Sequence, residues 1–76
     1  MNNHYYDAII NILTPFLGRN MSETSVQLQC KKLGISADTI TRNNLSDLNQ
    51  RLLPAIKVFM GEEKAKQITD SILHIK

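Results

Sequence analysis

The side chains able to do chemistry in this chain are few: one thiol at Cys30, imidazoles at His4 and His74, seven carboxylates and a scatter of hydroxyls. A thiol becomes a nucleophile or redox sensor when a neighbouring base or cation lowers its pKa. A set of Cys and His side chains holds zinc when four ligands converge. Neither pattern is written here. Cys30 has no His near it in sequence and falls at the border of an apolar arc, the place of a small core hydrophobe. His74 falls on the polar face of the last helical segment, and His4 in what reads as a frayed end. General acid–base work needs groups that meet in a water-excluding pocket, and no spacing assembles one. The expectation is a protein that is not an enzyme, with no metal and no cofactor.

Two further stretches invite a functional reading. In "NLSDLNQ", Ser46 followed by Asp47 invites comparison with acyl carrier proteins, which modify the Ser of an Asp-Ser-Leu motif. The order here is reversed, and those carriers are strongly acidic, whereas this chain has a net charge of +2; Ser46 reads instead as a residue that helps start a helix. "CKKLGISADTITRNNLSDL" superficially resembles a helix-turn-helix, with Lys31, Lys32, Arg42 and Arg51 as phosphate contacts. Its ten-residue connection is too long for the usual turn of three or four. The basic residues are also spread along the chain rather than gathered into a stripe. Nucleic-acid binding is therefore the runner-up function and not the leading one.

Class follows from length and cysteine usage. With 76 residues the chain has room for one small core, and domains of this size often gain stability from disulfides, metals or self-association. A single Cys excludes an internal disulfide and suits a reducing compartment. No apolar run approaches the roughly 20 residues of a membrane span, and no signal-peptide pattern opens the chain. A cytoplasmic protein with no membrane partner is expected.

The elements that must position any site are helical. Apolar residues recur at helical spacing over 4–17, 20–33, 45–60 and 62–75, and a structured connector spans 35–44 with Ile35 and Ile40 as its core anchors. On these wheels Phe16 and Phe59 belong to the core arcs, as do Met21 and Leu28 of the second segment, whose arc has Ser22 and Ser25 at its centre. Asn49 falls inside the arc of the third. Pro15 and Pro54 are expected to bend their helices without breaking them. Asn20 or Ser22 reads as the N-cap of the second segment.

Three glycines punctuate the pattern. "PFLG" at 15–18 and "VFMG" at 58–61 each end a helix, and Gly34 follows Lys31 and Lys32 at the end of the second. Gly18, Gly34 and Gly61 are thus expected as structural caps with positive φ. Aligning Gly18 with Gly61 pairs Phe16 with Phe59, Leu17 with Met60 and Ser22 with Ala65, which reads either as a pseudo-repeat of about forty residues or, because apolar-apolar-Gly is the common way to stop a helix, as convergent capping. The fold class implied is all-α, a small four-helix bundle built from two antiparallel helical hairpins. Tyr5, Tyr6, Ile10, Leu17, Val26 and Cys30 extend past the seam expected inside it. They form the candidate interface of a protein-interaction module, either a homodimer or an adaptor.

Overall fold

The computed structural model describes residues 3–76. The described residues form four helices, α1 (His4–Leu17), α2 (Arg19–Lys32), α3 (Arg42–Met60) and α4 (Glu62–Leu73), with a 3₁₀ turn at Ala37–Thr39 between α2 and α3. α1 packs most closely with α2, and α3 with α4. α2 beside α3 and α1 beside α4 close the square, and α1 meets α3 across its diagonal. The result is the expected bundle of two hairpins, measuring 30 × 23 × 22 Å.

Each hairpin turns on a single residue. Gly18 ends α1 and begins α2 with φ 82° and ψ 159°; Gly61 does the same between α3 and α4 with φ 87° and ψ 165°. Positive φ with extended ψ is a region open essentially to Gly alone. One residue serves two helices: the Gly18 N–H closes α1 on Thr14 O at 2.9 Å, and its carbonyl accepts the first α2 bond from Ser22 N–H at 3.0 Å. Gly61 repeats this with Lys57 O and Ala65 N–H. Because the helices diverge from one residue, the side chain one turn later has little room, and both occupants are small and fully buried: Ser22 and Ala65. Ser22 is therefore not an N-cap. Its Oγ donates back to Gly18 O at 2.7 Å, which removes its polar cost.

Gly34 has φ 78° and closes α2 differently. The Ile35 N–H reaches Cys30 O at 2.9 Å and the Gly34 N–H reaches Lys31 O at 3.1 Å, the paired bonds of a Schellman end. Past it, Ile40 is buried and Ile35 packs against the core. α3 begins at Arg42, three residues before the apolar arc, since Asn44 Oδ1 accepts the Thr41 N–H at 2.8 Å and caps the helix early. α4 stops at Leu73, although Ile75 beyond it is still buried.

The start of α1 is tied rather than frayed. Asn3 Oδ1 accepts from the N–H groups of Tyr5 and Tyr6 at 2.8 and 3.1 Å, and its Nδ2 donates to Ile40 O at 2.7 Å. One side chain caps α1 and fastens it to the connector. His4 Nε2 lies 3.2 Å from Lys76 O, bringing the two ends of the chain together.

Ile9, Ile10 and Leu13 of α1, Leu45, Leu48, Leu52 and Ile56 of α3, and Ile68 and Ile72 of α4 fill the centre. α2 adds only Val26, Cys30 and Ser22. Leu52→Ala is expected to lose about 2 to 5 kcal/mol in urea unfolding, the range for a fully buried Leu. Gly18→Ala and Gly61→Ala test the corners. Nothing lies within 4 Å of an added Cβ at either, so each should lose about 1 to 3 kcal/mol from backbone strain alone, and an alanine variant as stable as wild type would refute the corner geometry.

Candidate interaction surfaces

The thiol is the most reactive group in the chain, and the fold disarms it. Cys30 is buried between α2 and its neighbours, and burial pushes its pKa up, which suppresses the thiolate at neutral pH. Among the described residues no three His, Cys, Asp or Glu side chains converge as a metal-ligating group. No helix among them is long and apolar enough to cross a membrane. The cations offered for phosphate contact, Lys31, Lys32, Arg42 and Arg51, are all exposed, but Arg42 already stands 5.7 Å over the ring of Tyr5.

Of the six residues expected at an interface, four are turned into the core. Tyr6, Ile10, Val26 and Cys30 belong to the buried core. The wide arcs of α1 and α2 are needed because each helix of a square bundle covers two neighbours. Tyr6 even satisfies its hydroxyl inside the hairpin, accepting from Gln27 Nε2 at 3.0 Å. Tyr5 and Leu17 are half-buried against the core, with Tyr5 held between Arg42 and the edge of His4.

Other apolar side chains are exposed instead. In α2 the core-facing arc is centred on Val26, which turns Met21 and Leu28 outward, contrary to the arc read from the sequence. Phe16 is 37% exposed, Phe59 52% and Val58 83%. At 100° per residue, Phe59 projects within about 40° of the middle of the buried arc of α3, so its phase points inward. Its position explains the exposure. It lies in the last turn, and the helix that should cover it has only just begun, with Glu62 and Glu63. Phe16 stands in the same relation to Arg19 and Asn20.

These ends lie together. Lys64 Nζ, one turn into α4, sits 5.6 Å over the Phe16 ring, so both corners occupy one end of the bundle. Lys64 also lines an open depression of about 350 Å³ with Met60, Gly61, Glu62, Glu63 and Gln67. Aromatic rings edged by charges of both signs are the anatomy of a small interface. The sequence carried a usable signal: a Phe two residues before a one-residue corner is followed by polar residues that cannot cover it.

A second opening lies on the side of the bundle. Between α3 and α4 a depression of about 210 Å³ is lined by Ser46, Asn49, Gln50, Leu53, Thr69 and Leu73. Asn49 Nδ2 donates to Thr69 O at 2.8 Å, while its buried Oδ1 has no partner. Exchanging the amide atoms would set two acceptors against each other, so the assignment is fixed by the bond.

Cys30 supplies the check on this part of the structure: it should resist alkylation by iodoacetamide in the folded protein and react at the ordinary rate in urea, and rapid labelling without denaturant would mean the thiol is reachable. No family model matches the sequence, and no curated protein or solved structure is similar to it.

Proposed function

We propose that this chain is a non-enzymatic protein-interaction module, an adaptor that engages a partner protein through the corner end of the bundle. The observation that carries this reading is the exposure of Phe16 and Phe59 at one end, beside Lys64 and the depression it lines. Rings exposed to water gain when a partner covers them, and aromatic residues concentrate binding energy at small interfaces. Two partly exposed rings offer far less apolar area than a large interface needs. A stable domain–domain interface takes about 800 Å² from each side. The corner end therefore suits a short partner segment, such as an amphipathic helix placing one or two aliphatic side chains against the rings. Glu62, Glu63 and Lys64 at the rim would set its register and its rate of association. A lone thiol suits a reducing compartment, and the cytoplasm is the setting this reading adopts.

Phe59→Ser tests the proposal, because a half-exposed ring contributes little to the fold. The variant should keep the helical circular dichroism of wild type and melt within a few degrees of it. In affinity capture from the source cell at equal bait loading, a protein bound directly by wild type should be lost or reduced at least about tenfold, the equivalent of 1.4 kcal/mol. Equal capture by both baits would overturn the assignment of the corner end.

A further inference from the structure

We infer that the partner segment is an amphipathic helix with acidic residues at one end, and that it lies along the side of the bundle formed by α2 and α3 with that end away from the corners. The inference rests on the proposed function, whose Phe59 it shares, and adds the partner's charge, length and direction.

Hydrogen bonds fix which way each helix faces. Gln27 donates to Tyr6 and so marks the edge of α2 that faces α1. Asn49 and Leu53, which share a depression with Thr69 and Leu73, mark the edge of α3 that faces α4. At 100° per residue, Met21 and Leu28 project about 140° and 160° from Val26 at the middle of the buried arc, on the side away from Gln27. Val58 projects about 140° from the middle of the buried arc of α3, on the side away from Asn49. All three therefore point out of the side that α2 and α3 share.

That side is apolar towards the corners. Of the six large apolar side chains exposed among the described residues, Met21, Leu28 and Val58 project from it, and Phe59 stands at its corner end. Both glycine corners lie at one end of the bundle, so distance from the glycine sets the level along the helix. Met21 and Val58, each three residues from its glycine, stand side by side; Leu28 is level with Arg51, and Lys32 with Asp47. Between the apolar levels Ser25 and Ala55 are short and half-buried, which lets a third helix come close.

Charge selects the occupant. Lys32 and Arg51 are exposed on the far half of this side, against Asp47 alone. Among the described residues the one ion pair is Arg19 with Glu23, so both cations are left for a partner's carboxylates. Glu62 and Glu63 stand in the first turn of α4 at the corner end and turn those carboxylates the other way. From Met21 to Lys32 is about 16 Å, three turns of helix. The partner then sets apolar residues about one turn apart against Met21, Val58 and Leu28, and its acids against Arg51 and Lys32.

The experiment is site-directed photocrosslinking in extract of the source cell. Thr24→p-benzoylphenylalanine places the probe on an exposed position one turn from both Met21 and Leu28; Asp70→p-benzoylphenylalanine on α4 is the control. The Thr24 probe should crosslink a segment that mass spectrometry reads as an apolar helical stripe followed by acidic residues, and the Asp70 probe should not. Leu28→Glu and, independently, Arg51→Glu should cut the yield at least about tenfold with the circular dichroism of wild type, since both positions are exposed; Arg51→Lys should keep most of it. A partner that Phe59→Ser loses, but that Thr24 does not crosslink and Leu28→Glu does not weaken, overturns this inference and leaves the corner end standing. A Thr24 crosslink to a second copy of this chain, to nucleic acid, to lipid or to a segment without acids overturns it as well. Capture that Leu28→Glu abolishes and Phe59→Ser leaves whole overturns the corner end and supports the side.

Discussion

The one-residue corner is the constraint from which most of this structure follows. At Gly18 and Gly61 a single residue finishes one helix and starts the next, and its positive φ with extended ψ fixes the angle at which they separate. Helices that diverge from one residue touch hardest one turn away, so Ser22 and Ala65 must be small and buried. For the same reason the residue two before each glycine is left uncovered, because the incoming helix has not yet risen far enough to shield it. Phe16 and Phe59 are exposed by the geometry that makes the hairpins tight. Fold and candidate site are therefore two consequences of one backbone device.

The two hairpins apply that device to unequal material. Leu13 and Ile56, and Ile9 and Leu52, are buried pairs at the spacing of the two glycines, 61 − 18 = 43. Tyr6 and Asn49 stand at the same spacing, and each bonds across its own hairpin, to Gln27 and to Thr69 O. α2, however, buries only Ser22, Val26 and Cys30, too little apolar surface to hold a helix by packing alone. Its place is secured by its ends: the glycine corner before it and the Schellman bonds and Ile40 anchor after it. Asn3 adds a polar staple between α1 and the connector, which joins the hairpins where no corner does.

What could be read from the sequence divides along these lines. Periodicity located four helices and two hairpins, because the apolar arcs of α1, α3 and α4 are dense enough to fix a face. The arc of α2 is sparse, and there the wheel took in the buried Ser22, Val26 and Cys30 but set its other edge too far round, placing Met21 and Leu28 inward. Helix phase also reports direction and not depth: Phe16 and Phe59 point towards the core and lie beyond its end. The supposed surplus of Tyr6, Ile10, Val26 and Cys30 vanished because a helix in a square bundle buries against two neighbours. The caps at Asn3 and Thr41 were missed, although an Asn or Thr before an apolar run is the signal for one.

Asn49 is the polar exception in the seam between α3 and α4, with one amide bond made and one oxygen left unpartnered. A buried amide oxygen without a partner costs about 1 to 3 kcal/mol, a sizeable share of the few that a domain of this size retains. The bond from its Nδ2 offsets part of that, since Thr69 O lies within α4 and has a helical donor available besides Asn49. An aliphatic residue at this position would bury cleanly between α3 and α4 and remove the orphan. The corner end, in contrast, needs no strained or orphaned group: its apolar exposure follows from the turn itself.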